Sequence, residues 1–120
     1  MIYGVGNDII EIKRIAKSME NERFMAFCFS GIERKAYTDN LQKLGGCFAA
    51  KEALSKALGT GVRGFSLDEI SVMRDDLGKP FFDFSGKIKE IMEQKKLKAH
   101  LGITNSNEYI YTIVILEVVE

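Results

Sequence analysis

A chain of 120 residues, 46% hydrophobic and 10% aromatic, suits a single domain over residues 1–120 that buries roughly two thirds of its unfolded surface. Seventeen Lys plus Arg balance seventeen Asp plus Glu, so no overall field favours nucleic acid or an anionic membrane, and recognition by charge has to be local. Cys28 and Cys47 without a C-x-x-C pair, and His100 as the single histidine, exclude a Cys/His zinc cage built from one chain.

In chain order, IYGVGNDII (2–10) is apolar and β-branched and predicts an opening strand with Asp8 at or near its exit. Ile12, Ile15, Ala16 and Met19, then Phe24, Phe27 and Cys28, recur at helical spacing and predict two short helices broken near Glu20 to Glu22. Ser30 with Glu33 three residues on is a capping box that starts a third helix to about Tyr37. The longest helical pattern runs from Leu41 to Leu58, with Cys47, Ala50, Leu54, Ala57 and Leu58 on one apolar stripe and Gly59 as the stop signal. Residues 68–74 and 80–84 alternate like strands around a DDLGK turn and predict a hairpin, with Pro80 harmless at a strand start. Ser85 is placed to cap a basic amphipathic helix to about Lys96. His100 to Thr104 and Tyr109 to Val118 complete the chain as two strands joined through NSNE. Helices early and strands late predict an α+β fold with a small, mainly antiparallel sheet on the long helix.

The opening residues lack the basic region of a secretion signal, and the apolar run Tyr109 to Leu116 is too short to span a bilayer. A cytoplasmic protein with reduced thiols is the expectation.

On the long helix Glu52, Ser55 and Lys56 stand at i, i+3 and i+4, which predicts one polar face opposite the apolar stripe. Glu52 and Lys56 alone make an ordinary surface pair, and Asp8 with Glu11 could merely cap the following helix. Taken together, a strand-end Asp and a helical Glu offer two hard oxygen ligands to Mg²⁺, whose other positions would fall to water and phosphate oxygens. Lys56 would then meet phosphate charge as a point cation.

Four segments, GVGNDIIEIKRI (4–15), FAAKEALSKALGTG (48–61), DLGKPFF (76–82) and HLGITNSNEY (100–109), follow one another across nearly the whole chain. Together they closely resemble the small bacterial holo-acyl-carrier-protein synthases, a type of 4′-phosphopantetheinyl transferase. The resemblance implies transfer of the phosphopantetheine arm of coenzyme A to a serine of an acyl carrier protein, with Mg²⁺ and release of adenosine 3′,5′-bisphosphate. It also implies a homotrimer with sites between neighbouring subunits. By motif it makes Asp8 and Glu52 the metal ligands and Lys56 the pyrophosphate contact, with Glu52 also removing the serine proton. Ser55, Gly59, Gly61 and Asn105 join Lys56 as donor-binding positions, although Gly59 and Gly61 serve equally as a plain helix stop. Arg14 matches a position facing the carrier protein, and Arg23 extends that basic patch with Lys13 and Lys17.

The chain departs from the family pattern in three places. Cys47 stands where an Arg is usual before Phe48, Gly102 interrupts the H-V-S-I pattern, and Asn105 replaces a second His. The missing Arg and second His are the positions the resemblance links to the 3′-phosphate of coenzyme A, so a donor-relaxed enzyme, or a non-catalytic paralogue that only binds carrier protein, is the alternative. Cys47 as helix packing and His100 as a strand-edge or core residue are the plain readings of those two positions.

Overall fold

The computed structural model describes residues 1–120. Strand β1 (Ile2–Glu11) leads into helices α1 (Ile12–Ser18), α2 (Glu22–Cys28) and α3 (Gly31–Ala36), then the long helix α4 (Leu41–Leu58). A 3₁₀ turn at Leu67–Glu69 opens the hairpin β2 (Ile70–Arg74) and β3 (Pro80–Phe84), followed by α5 (Gly86–Gln94), β4 (Leu97–Asn105) and β5 (Tyr109–Val118). The strands form two antiparallel sheets, β1-β5-β4 and β2-β3. The expected single sheet is therefore divided, because the hairpin pairs only with itself.

Helix α4 is the centre of the molecule. Twelve of its eighteen residues are buried, so it is enclosed on most sides rather than lying with one stripe on a core. Gly45, Ala49, Ala53 and Ala57 repeat every fourth residue and form a ridge of small side chains toward the larger sheet. The sheet answers with glycines: a Cβ on Gly4 or Gly6 would stand 2.0 Å from the carbonyl oxygen of Ala57 or Ala53, respectively. Positions 4, 6 and 8 share one face of β1, so this close approach carries Asp8 toward the next helical turn. From β5, Ile110, Thr112, Val114 and Leu116 alternate into the same interface and are buried.

The opposite side of α4 carries an ion pair that the sequence pattern did not announce. Lys51 and Glu33 are both fully buried and paired. The Lys51 ammonium also donates to the carbonyls of Cys28 (2.7 Å) and Leu67 (3.1 Å), while Glu33 accepts from the Val72 N–H at 2.8 Å. Four segments are thereby tied to α4 with every polar atom partnered, the condition under which a buried charge pair is tolerated.

Several local expectations need correction. Asp8 lies inside β1, which continues to Glu11, and neither Asp8 nor Glu11 caps α1. Residues 67–69 wind as a 3₁₀ turn instead of beginning the strand, because Ser66 and Glu69 form their own capping box. β4 starts at Leu97, three residues before His100. Ser85 makes no side-chain cap on α5; the Glu69 carboxylate accepts from the Lys87 and Ile88 N–H groups in its place. The Ser30–Glu33 capping box and the left-handed Gly59 at the end of α4 are as expected. No helix is long and apolar enough to cross a membrane.

Candidate active site

Asp8 and Glu52 are brought to one cleft of about 400 Å³ between β1, α1, α2 and α4, with Arg14 on its wall. The apolar part is formed by Ile15, Phe24 and Phe48, with the Phe24 and Phe48 rings 5.6 Å apart. Lys56, one turn beyond Glu52, reaches back to β1 and donates to Asp8 Oδ1 at 3.1 Å and to the Asn7 carbonyl at 3.0 Å. The Asp8 side chain is 15% exposed and that of Lys56 55% exposed, so the pair borders solvent and contributes little to stability.

Burial raises the pKa of Glu52 above the usual carboxylate value, the neighbouring Asp8 charge raises it further, and Lys56 opposes both. Two acids held near each other in a half-sheltered cleft gain from any cation that separates their charges. No group of three or more His, Cys, Asp or Glu side chains converges anywhere in the chain. The donor set is thus two hard oxygen ligands, which fits Mg²⁺ completed by water and substrate oxygens and fits neither zinc nor a softer metal.

Other expected site residues lie elsewhere. Ser55 does not share the polar face of Glu52 and Lys56: it is 3% exposed and its hydroxyl donates to the Lys51 carbonyl inside the helix. The i+3 position turns toward the core because α4 is enclosed on that side as well. Gly59 (φ +80°) and Gly61 (φ +67°) sit exposed in the turn after α4, where the Gly59 N–H bonds the Lys56 carbonyl as a helix cap. Asn105 ends β4 in a separate shallow depression with Thr104, Ser106, Tyr109 and Tyr111. Arg14 and Arg23 are exposed on α1 and α2. Cys47 is 1% exposed, so it packs in the core and is out of reach of any ligand. His100 is exposed on β4, bonded to Glu117 at 2.9 Å. Nothing in the sequence marked Lys51 or Thr112.

Known proteins match this chain over nearly its whole length. Residues 4–114 match the 4′-phosphopantetheinyl transferase superfamily. The holo-[acyl-carrier-protein] synthase of Fusobacterium nucleatum subsp. nucleatum is 42% identical, over 97% of this chain and 99% of its own. That of Clostridium beijerinckii is 40% identical, over 99% and 100%. Among solved structures, the Neisseria meningitidis holo-[acyl-carrier-protein] synthase superposes with a TM-score of 0.90 at 31% identity, covering 98% of this chain and 99% of that one. The Bacillus anthracis synthase, in complex with CoA (3′,5′-ADP), gives 0.84 at 36% identity, covering 99% of each. Together with the α+β fold, these matches show that the chain belongs to the 4′-phosphopantetheinyl transferase superfamily, among its holo-[acyl-carrier-protein] synthases.

Proposed function

We propose that the protein transfers the 4′-phosphopantetheine arm of coenzyme A to a serine of an apo acyl carrier protein in a Mg²⁺-dependent reaction, releasing adenosine 3′,5′-bisphosphate. The observation that carries this reading is the meeting of Asp8 and Glu52 at one cleft, from segments more than forty positions apart in the sequence, with Lys56 bonded to Asp8. Asp8 and Glu52 are the side chains to hold Mg²⁺, which supplies positive charge against the diphosphate. Lys56 adds an ammonium for the oxygen that departs, and positioning with cationic charge is the main demand of phosphoryl transfer.

The serine hydroxyl attacks the β-phosphorus, the bond to the bridging oxygen breaks so that adenosine 3′,5′-bisphosphate departs, and the serine proton passes to the Glu52 carboxylate, directly or through water. Gly59, Gly61 and Asn105 are further donor contacts, with Ser55 excluded by its burial. The exposed basic side chains Arg14 and Arg23, with Lys13 and Lys17, suit an acidic carrier protein. The outer face of the larger sheet, where Val5 (56% exposed), Ile9 (63%) and Tyr111 leave apolar surface uncovered, suits self-association, and a homotrimer is the assembly proposed. In such an assembly Asn105 would serve a neighbour's site.

A second reading, relaxed demand for the 3′-phosphate, is favoured by Cys47, which lies in the core and offers no charge to the donor. Incubating the protein with apo acyl carrier protein, coenzyme A and Mg²⁺, then weighing the carrier, tests the function. A gain of one phosphopantetheine that disappears with chelator and with Glu52→Ala is the expected result. An unmodified carrier would assign the fold to a binding role alone.

A further inference from the structure

The ridge of α4 presents three backbone carbonyls to the larger sheet, one helical turn apart, at Ala57, Ala53 and Ala49. The first two meet glycines, Gly4 and Gly6, at distances that leave no space for a side chain. The next position on that face of β1 is Asp8, whose carboxylate leaves the ridge for the cleft and Lys56. At the third turn the contact is made from the neighbouring strand. Thr112 stands directly across from Asp8 in the β1–β5 ladder and donates its hydroxyl to the Ala49 carbonyl at 2.8 Å. Ala49 opens the turn of α4 that carries Glu52.

Thr112 is 0% exposed between Ile110 and Val114, which point into the same apolar interface. Packing alone would favour valine there, since a buried hydroxyl costs free energy unless it is bonded, and β-branched side chains suit the strand equally well. The hydroxyl makes one bond, and that bond spans the strand position of one cleft acid and the helical turn of the other. Mg²⁺ accepts oxygen ligands only within a narrow range of distance, so the spacing between β1 and this turn decides how well two carboxylates can share it.

We propose that Thr112 is a positioning residue: its hydroxyl fixes the separation of Asp8 and Glu52 and thereby tunes their affinity for a divalent cation. The inference rests on the reading of Asp8 and Glu52 as the cation-binding pair. Thr112→Val keeps the shape and removes the donor; Thr112→Ser keeps the donor.

Mn²⁺ binding by titration calorimetry on the full chain without donor, and steady-state transfer from coenzyme A to apo acyl carrier protein, are measured for both variants. Thr112→Val is expected to weaken Mn²⁺ binding about tenfold, the low end for groups that orient metal ligands. Its kcat at limiting Mg²⁺ falls in parallel, recovers with excess Mg²⁺, and leaves the KM for coenzyme A unchanged. Thr112→Ser restores both. Wild-type Mn²⁺ affinity in Thr112→Val, or a Thr112→Ser as impaired as the valine variant, overturns the proposal. If Thr112→Val does not fold, Thr112→Ala carries the same comparison. A wild-type chain that neither binds Mn²⁺ nor transfers the arm overturns the underlying reading too, a result distinct from a wild-type chain that does both while Thr112→Val matches it.

Discussion

A Cβ on residue 6 would stand 2.0 Å from the Ala53 carbonyl oxygen, so Gly6 is required by space rather than by backbone conformation. Gly6→Ala must push β1 away from α4, and overpacking of this kind costs about 1–3 kcal/mol. The same movement displaces Asp8, two residues on. Urea unfolding gives the stability loss, and the transfer rate is expected to fall further than the stability loss alone explains. A variant with wild-type midpoint and rate would show that the helix yields at no cost.

The raised pKa of Glu52 carries a signed consequence. Burial first, and the Asp8 charge second, favour the neutral acid in the folded chain, so the folded state holds that proton more tightly than the unfolded state. The stability so gained is complete below the unfolded pKa and is lost as pH rises through the folded one. Chelator-treated protein is thus expected to lose stability over that interval. Glu52→Gln removes this slope and is more stable than wild type at neutral pH, while transfer is lost. Thermal unfolding against pH measures it; an unchanged slope in the variant would assign the effect to another group.

Lys51→Met strands the Glu33 carboxylate in the core, a change that costs about 3–5 kcal/mol for a broken buried pair. Adding Glu33→Gln removes the stranded charge and keeps one acceptor oxygen, enough for either the Ser30 or the Val72 N–H, which bond different oxygens of the carboxylate. The double variant is expected to regain part of the loss in denaturant titrations. Equal instability of single and double variants would place the cost in the lost Lys51 bonds to Cys28 and Leu67.

Glu69 anchors the start of α5 from outside it and holds the Ser66 N–H besides. Those backbone bonds keep its carboxyl below the usual range, so its contribution is present above the unfolded pKa and disappears as pH falls through the folded one. Glu69→Ala is expected to cost about 0.5–2 kcal/mol at neutral pH, as for a lost helix cap. In acid the difference from wild type closes. A difference that persists in acid would point to packing instead of capping.

With Cys47 in the core, the donor preference is open to direct measurement. Comparable kcat/KM for coenzyme A and its 3′-dephospho form is the outcome of relaxed recognition. A strong preference for coenzyme A would mean that other cations, Lys43 among them, hold the 3′-phosphate.

Much of this architecture was legible because short-range signals agree with the tertiary result. The Ser30–Glu33 box, the Gly59 stop of α4 and the DDLGK turn each depend on neighbours in sequence. What escaped notice depends on what lies across space. Ser55 was expected on a polar face, but a helix surrounded by two sheets and three helices has little such face. Ser85 has the right type for a cap, yet Glu69, sixteen residues earlier, takes the bonds. Thr112 reads as one more β-branched residue in a strand, and only the position of the Ala49 carbonyl gives its hydroxyl a meaning. The meeting of Asp8 with Glu52 depends on the close approach of the β1 glycines to the ridge of α4, a contact between segments remote in sequence.

The two thiols have a bearing on the company this protein keeps. Coenzyme A and the arm it gives up both end in a free sulfhydryl, so a synthase of this kind works beside a pool that forms mixed disulfides when oxidised. Cys28 and Cys47 are both buried and unpaired, and burial pushes the Cys28 thiol up to about 11 and raises that of Cys47 as well. Neither presents a thiolate to an incoming disulfide, so the chain is insulated from mixed-disulfide capture by the thiol donor proposed for it.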